Sequence, residues 1–267
     1  MAELSLRGRA AIVTGSGSGI GRAIAVRYGL EGAKVVVAEI DSARAETVAE
    51  SIRAAGGEAL AVTCDVSKEE DCDGLFRATV DHFGTVDILV NNAGLVNTAR
   101  HFLDADLRWW QEIISVNLTG MFNCSLRAAR IMAAKRSGVI IAMSSGGATR
   151  AHRGNAAYDA SKGGIEALVR ALALDLGPYG IRVCGLVPGS IDTAGLDDEA
   201  RKYRAETVPL GRVGESDDLA GPAVFLASDD ALYVSGTMLV VDGGLLAQQR
   251  SPQVDIFPHS LYPGLEL

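Results

Sequence analysis

Tyr158 and Lys162 stand four residues apart in a stretch that reads as helix, so both side chains project from one face and can act together. A phenol titrates near 10, and an ammonium beside it favours the phenolate, which brings Tyr158 closer to a working general acid/base at neutral pH. The same spacing also arises from plain surface packing, so the pair gains meaning only from its company. That company starts near the N-terminus. In Thr14-Gly-Ser-Gly-Ser-Gly-Ile-Gly21, the residues Gly15, Ser18, Gly19, Ile20 and Gly21 lie between an apolar run and a helical one. Bare backbone there can approach a pyrophosphate, the following helix N-terminus supplies amide donors, and a Cβ would hold the phosphates off. The plain alternative is a glycine-rich turn; the position directly after the first strand favours dinucleotide binding.

Glu39 falls at the end of the second apolar run, 18 residues after Gly21, where a carboxylate can accept hydrogen bonds from the adenosine ribose hydroxyls. It would also repel a 2′-phosphate, and no Lys or Arg lies inside the glycine loop to attract one, so NAD is expected over NADP. Asp65, with Val66 beside it, ends the third run and can meet adenine, although Asp65 can equally cap the helix that begins near Lys68.

Positioning these groups requires a scaffold, and the hydrophobic pattern describes one. Strand-like runs at Ala10–Val13, Val35–Ala38, Leu60–Thr63, Ile88–Val90, Val139–Met143, Arg182–Val187 and Met238–Val241 alternate with helical patterns. The helices are expected at Arg22–Leu30, Ala43–Ala55, Glu69–His82, Asp106–Ala134 (one long helix), Ala156–Leu176 and Ser216–Leu226. Strands apolar on both faces and separated by helices indicate an α/β protein, a single doubly wound Rossmann fold with a mainly parallel seven-stranded sheet flanked by helices. At 267 residues and 48% hydrophobic content, the chain can bury a large core in one domain, taken as 1–247, and no repeat or block of like charge suggests a second.

Composition narrows the function. A net charge of −8 argues against a nucleic-acid face, which needs clustered Lys and Arg. No run approaches the roughly 20 apolar residues of a membrane span. The four cysteines form no CxxC pair and the histidines no ligand spacing, so neither a metal nor a disulfide framework is expected, and a reducing, cytoplasmic setting fits best.

At Tyr158 and Lys162 the sequence resembles the short-chain dehydrogenase/reductase family, in its single-domain branch, from about Leu6 to Gly244. The matching features are Thr14–Gly21, Asn91-Asn92-Ala93-Gly94, Asn117, Ser145, the Tyr158/Lys162 pair, and Pro188-Gly189 followed by Ile191 and Thr193. Ser145 rather than Ser144 stands at the family's usual separation, 13 residues before Tyr158. The resemblance implies hydride transfer between nicotinamide and a secondary alcohol or ketone. Tyr158 would exchange the proton on the substrate oxygen, and Ser145 would hydrogen-bond that oxygen. Lys162 would bind the nicotinamide ribose and lower the Tyr158 pKa, while Asn117 would hold a water linking Lys162 to solvent. Asn92, Ala93 and Gly94 would order the cofactor-binding edge, the backbone near Ile191 would meet the carboxamide, and Thr193 would contact the cofactor. It also implies a homo-oligomer, a dimer or a tetramer.

Other features are less specific. Arg150, His152 and Arg153 fall between Ser145 and Tyr158, where they either face a polar or anionic substrate or reach solvent. Of Trp109 and Trp110, at least one should be buried. Residues 190–210, charged and poor in core signals, match a substrate-covering segment. The tail, 248–267, either docks on a neighbouring subunit or is an unstructured end. Two rivals to the alcohol dehydrogenase reading stay open: a 3-oxoacyl thioester reductase using NAD(P)H, and a nucleotide-sensing protein without turnover.

Overall fold

The structure, a computed structural model, describes residues 5–96 and 98–248. Seven strands, β1 (Ala10–Thr14), β2 (Lys34–Glu39), β3 (Glu58–Thr63), β4 (Ile88–Asn91), β5 (Gly138–Met143), β6 (Ile181–Pro188) and β9 (Met238–Val241), form one sheet in the order β3-β2-β1-β4-β5-β6-β9. Every neighbouring pair is parallel. The connecting helices are α1 (Gly19–Leu30), α2 (Ser42–Ala54), α3 (Glu69–Phe83), α4 (Leu107–Ile114), α5 (Gly120–Lys135), α6 (Ala156–Leu176) and α8 (Ala220–Ala227).

Period-2 alternation divides each apolar strand between two cores. Ala11, Val13, Val35, Val37, Ile88 and Val90 pack with Ile24, Tyr28, Val48 and Val224 on one face. Ile12, Val36, Leu89 and Ile140 pack with Phe76, Met121, Met132 and Ile165 on the other. Because both faces are covered, these strands need no polar side, and continuous apolar runs were the sequence signature. The fully buried Tyr28 donates its hydroxyl to the carbonyl of Ala223 at 2.9 Å, tying α1 to α8. Tyr28→Phe should therefore lower stability by about 1 kcal/mol without altering kcat, read as a reduced urea midpoint at unchanged m.

Two departures from the sequence reading bear on function. The helix expected over Asp106–Ala134 is interrupted at Ser115–Thr119 by a π-helical turn, in which the Gly120 amide donates to the Ser115 carbonyl. A one-residue insertion of this kind leaves hydrophobic spacing almost unchanged and so is invisible to periodicity. Residues 190–210 also gain local order: β7 (Ile191–Asp192) pairs with β8 (Gly214–Glu215), and α7 (Asp198–Ala205) follows a cap by Asp197 on the Ala200 amide at 2.8 Å. Trp109 is buried and Trp110 partly exposed, in line with expectation. Among the described residues, no helix is long and apolar enough to cross a membrane and no group of side chains is placed to hold a metal ion. The proposed docking tail lies outside the described residues except for Gln248.

Candidate active site

The sheet changes winding direction between β1 and β4, because β2 pairs with one edge of β1 and β4 with the other. Crossovers leaving those two strands diverge, so a crevice opens beyond their carboxyl ends. A cleft of about 510 Å³ occupies that position. Every candidate side chain except Asn117 lines it: Gly15, Ser18, Gly19, Ile20, Gly21 and Glu39 at one end, Asp65, Val66, Asn92, Ala93 and Gly94 along it, and Ser145, Tyr158, Lys162, Pro188, Gly189, Ile191 and Thr193 at the other.

The glycine loop is fixed by close approach. Gly15 has φ +62°, and a Cβ there would lie 2.7 Å from the Ala93 Cα; a Cβ on Gly21 would lie 2.2 Å from the Gly15 oxygen and 2.4 Å from the Asn92 Nδ2. Thr14 secures the neighbouring loop: its hydroxyl accepts from the Asn92 and Ala93 amides, each at 3.1 Å, while Asn92 Nδ2 donates to the Thr14 and Gly15 carbonyls, each at 3.0 Å. Asn92 is thus a brace between the ends of β1 and β4, which supports the expected ordering of that edge. The first turn of α1 receives no cap from Ser18 and carries no acid, whereas α2 is capped by Asp41, which accepts from the Ala43 and Arg44 amides. Exposed amide donors at the only one of these two helix starts that faces the cleft suit an anionic ligand.

Glu39 reaches from β2 to this loop: Oε2 accepts from the Gly17 amide at 2.9 Å and Oε1 from the Ile40 amide at 2.9 Å. Asp65 bonds locally, accepting from the Ser67 amide at 3.1 Å and the Ser67 hydroxyl at 2.7 Å, and it still borders the cleft. It does not cap α3 itself, whose N-cap is Lys68; it instead shapes the turn that leads there.

At the far end, β5 delivers Ser144 and Ser145, and α6 delivers Tyr158 and Lys162. The two serines part company. Ser144 is buried and donates to Glu166 Oε1 at 3.0 Å, whereas the Ser145 hydroxyl faces Tyr158. Lys162 is buried, with Nζ donating to the Met143 carbonyl at 2.8 Å and lying 5.5 Å from the centre of the Tyr158 ring.

The electrostatics correct one expectation. In the protein alone, burial raises the Tyr158 phenol above its ordinary value, and the Ser145 hydrogen bond offsets this only in part. Burial also brings the Lys162 ammonium down to about 8. The ammonium beside Tyr158 therefore does not prevail by proximity: it shares the same desolvated site, and desolvation disfavours both charged forms.

Asn117 lies just behind the wall, in the π-helical turn. Its Oδ1 accepts from the Leu95 amide at 2.7 Å, and its Nδ2 donates to the Leu95 carbonyl and the Ser161 hydroxyl, each at 3.2 Å. The turn aims this amide at the loop after β4, and the three bonds offset the cost of the irregular backbone. Both Nδ2 hydrogens are engaged, so a water held by this side chain would have to meet the second lone pair of Oδ1.

Of the three basic residues between Ser145 and Tyr158, none is simply solvated. His152 is held by Asp159, which accepts from its Nδ1 at 2.8 Å and its amide at 2.6 Å, with the imidazole 6.4 Å from the Tyr158 ring. Arg150 donates to the Gln248 carbonyl at 2.7 Å and also to the Leu246 carbonyl, and Arg153 has a partner of its own. The residues that sequence reasoning missed are walls and anchors: Ile40, Leu95, Val116 and Met143, together with Arg204 from α7. A backbone carbonyl such as that of Met143 leaves no trace in residue type. Arg204 was hidden in a segment read only as charged.

A family model described as Enoyl-(Acyl carrier protein) reductase matches residues 15–246. The chain is 44% identical over 249 residues to L-rhamnose 1-dehydrogenase (NAD(P)(+)) of Azotobacter vinelandii, covering 88% of this chain and 95% of that protein. It is 40% identical over 268 residues to 3beta-hydroxysteroid dehydrogenase 1 of Eggerthella lenta, covering 98% and 97%. Among solved structures, a short-chain type dehydrogenase/reductase from Mycobacterium marinum superposes with a TM-score of 0.86 at 34% identity, covering 91% of this chain and 97% of that one.

Proposed function

The chain belongs to the short-chain dehydrogenase/reductase family, and from that premise we propose that it is an NAD-preferring dehydrogenase that oxidises a secondary alcohol, with Tyr158 as general acid/base. The oxidoreductase class and a nicotinamide cofactor follow from the family; the preference and the residue roles are our reading. One observation carries it: the glycine loop, Glu39 and the group Ser145, Tyr158 and Lys162 all border one cleft.

The cradle suits the cofactor, since the lack of Cβ atoms at Gly15 and Gly21 lets the loop close against Ala93 and Asn92 and leaves the amides of the α1 N-terminus uncapped at the cleft. Those amides would hold the pyrophosphate, Glu39 the adenosine ribose, and Lys162 the nicotinamide ribose. The bound nicotinamide supplies hydride acceptance and donation. Everything else is positioning and one proton. Ser145 orients the substrate oxygen towards the Tyr158 oxygen, the Tyr158 phenolate takes the alcohol proton and becomes the phenol, and Lys162 stabilises the phenolate that this step starts from.

Glu39 supports NAD. With both oxygens held by the Gly17 and Ile40 amides, the carboxylate is kept at the β2 end of the cleft, and a 2′-phosphate bound there would meet a like charge. Glu39→Ala should shift the ratio of kcat/KM for NADP over NAD upwards by about tenfold or more, since one close charge repulsion in partly screened surroundings is worth at least about 1.4 kcal/mol. An unaltered ratio would remove Glu39 from cofactor selection. The same argument disfavours the NADPH-using 3-oxoacyl thioester reductase. A sensor without turnover would have no use for a phenol, a hydroxyl and a buried ammonium gathered at the end of a nucleotide cleft.

We further propose a homo-oligomer working in the cytoplasm. The first is supported by the exposed apolar side chains Phe122 and Leu126 on α5 and Leu174 on α6, the second by four cysteines buried as free thiols. Light scattering behind size exclusion tests the first. For the activity, purified protein is incubated with NAD or NADP and a panel of secondary alcohols, polyols, hydroxysteroids and cyclic diols, following reduced nicotinamide by absorbance. Turnover with NAD supports the reading, and turnover with NADP alone overturns the preference.

A further inference from the structure

A second cavity, of about 840 Å³, adjoins the cofactor cleft and shares Ser145, Pro188, Gly189, Ile191 and Arg204 with it. Its position beside the Ser145 hydroxyl makes it the space a substrate would enter. Among the described residues its lining includes Arg150, His152 and Arg204 and no Asp or Glu, although the chain carries 33 acidic residues against 25 Lys and Arg. A cavity lined by basic side chains and by no carboxylate among the described residues runs against that composition.

The three basic side chains are not equivalent. Arg150 is spent on the carbonyls of Leu246 and Gln248, and His152 on Asp159. Arg204 makes no side-chain hydrogen bond or ion pair among the described residues. One turn before it on α7, Arg201 pairs with Asp192 and Glu215. Three acids near the cavity are committed elsewhere: Asp192 also accepts from the Gly195 and Leu196 amides, Asp218 binds Arg212, and Asp242 accepts from the amides of Gly244 and Leu246. Among the described residues no Asp or Glu pairs with Arg204, and the Arg150 side chain meets only carbonyl dipoles. Apolar side chains, Ala151, Leu245 and Leu246, form much of the remaining wall.

We propose that the substrate is an anionic secondary alcohol, with an apolar body and a carboxylate or phosphate group that Arg204 binds. This rests on the dehydrogenase reading and adds the substrate class to it. A guanidinium matches either anion with two parallel N–H donors, and the exposed Arg204 is open to a ligand entering the cavity. Arg204 is then a specificity-determining residue, carried into place by α7 while Ser145 and Tyr158 hold the hydroxyl end.

The test uses matched probes with NAD: 3-hydroxybutanoate, 3-hydroxyhexanoate and mandelate, each beside its methyl ester, with glycerol 1-phosphate beside glycerol as the phosphate arm. The native enzyme should favour the anion over its neutral partner by about tenfold or more in kcat/KM, the equivalent of one charge-assisted contact. Whichever arm shows the larger preference identifies the anion. Arg204→Gln should collapse that ratio towards one, Arg204→Lys should keep part of it, and Lys202→Gln, which alters a neighbouring exposed charge outside the cavity, should leave it unchanged. The NADH dissociation constant, read by fluorescence titration, should stay within about twofold in R204Q.

Neutral partners turned over as well as the anions by native enzyme would overturn the inference and leave the dehydrogenase reading intact. A ratio that survives R204Q, or one lost together with NADH affinity, would also overturn it, the latter by assigning Arg204 to the cofactor. Silence with every probe and cofactor, in both directions and across the neutral panel as well, would sink the dehydrogenase reading and this inference with it.

Discussion

Tyr158→Phe should lower kcat by about 10²- to 10⁴-fold, the usual contribution of a positioned acid/base, while NADH binds as before. The ring stays where it is because it packs against Trp109, Ile113 and Ala157, and phenylalanine preserves that contact. What disappears is the one hydroxyl that faces Ser145 and can exchange a proton with the substrate oxygen. Absorbance assays in both directions, with NADH fluorescence titration on the same preparation, check this; undiminished turnover would transfer the acid/base role elsewhere. The pH dependence has a definite sign. Burial raises the Tyr158 phenol, so the neutral form prevails at neutral pH and is ready to give its proton in ketone reduction. Alcohol oxidation needs the phenolate and should accelerate as pH rises. The rate should follow an apparent value belonging to Tyr158 and Lys162 as a pair, since the two share one desolvated site.

Lys162→Met should cost at least about 100-fold in turnover yet make the protein more stable at pH 7, a combination that a structural lysine would not give. The ammonium is buried, and its folded-state value of about 8 lies below the ordinary 10.5. A cation depressed in the folded state destabilises it: the cost is fully present below about 8, and it fades as pH climbs from there to 10.5, where the unfolded chain also becomes neutral. That gap corresponds to about 3 kcal/mol, against about 1 kcal/mol for the lost hydrogen bond to the Met143 carbonyl. The methionine stem refills most of the space, so denaturation at pH 7 should show a net gain of about 1–2 kcal/mol that vanishes by about pH 10. A loss of stability at pH 7 would show that Lys162 is retained for the fold rather than for chemistry.

The limits of sequence reasoning are visible at particular residues. Lys162 was found by its spacing from Tyr158, but spacing along a helix reports direction and not dielectric, so the sign of the mutual effect on the phenol could not be read from it. Asn117 was assigned to an uninterrupted helix because the one extra residue of a π-turn disturbs hydrophobic spacing too little to be read. Its bonds to Leu95 and Ser161 depend on that shift. Residues 190–210 gave few core signals because α7 has no buried residue to mark its period.

The sequence by itself determined the doubly wound fold, since strands covered on both faces must be apolar throughout, and the strand-loop-helix glycine pattern admits close backbone approach. It also singled out Glu39, Ser145, Tyr158 and Lys162, because these residue types at these intervals are tied to elements with fixed geometry. Only the tertiary structure decided what those side chains experience. The crevice between β1 and β4, the burial that shifts Tyr158 and Lys162, and the unpaired Arg204 facing the second cavity all arise from segments distant in the chain. Desolvation and charge pairing depend on everything within a few ångströms, and that neighbourhood exists only after packing has brought those segments together.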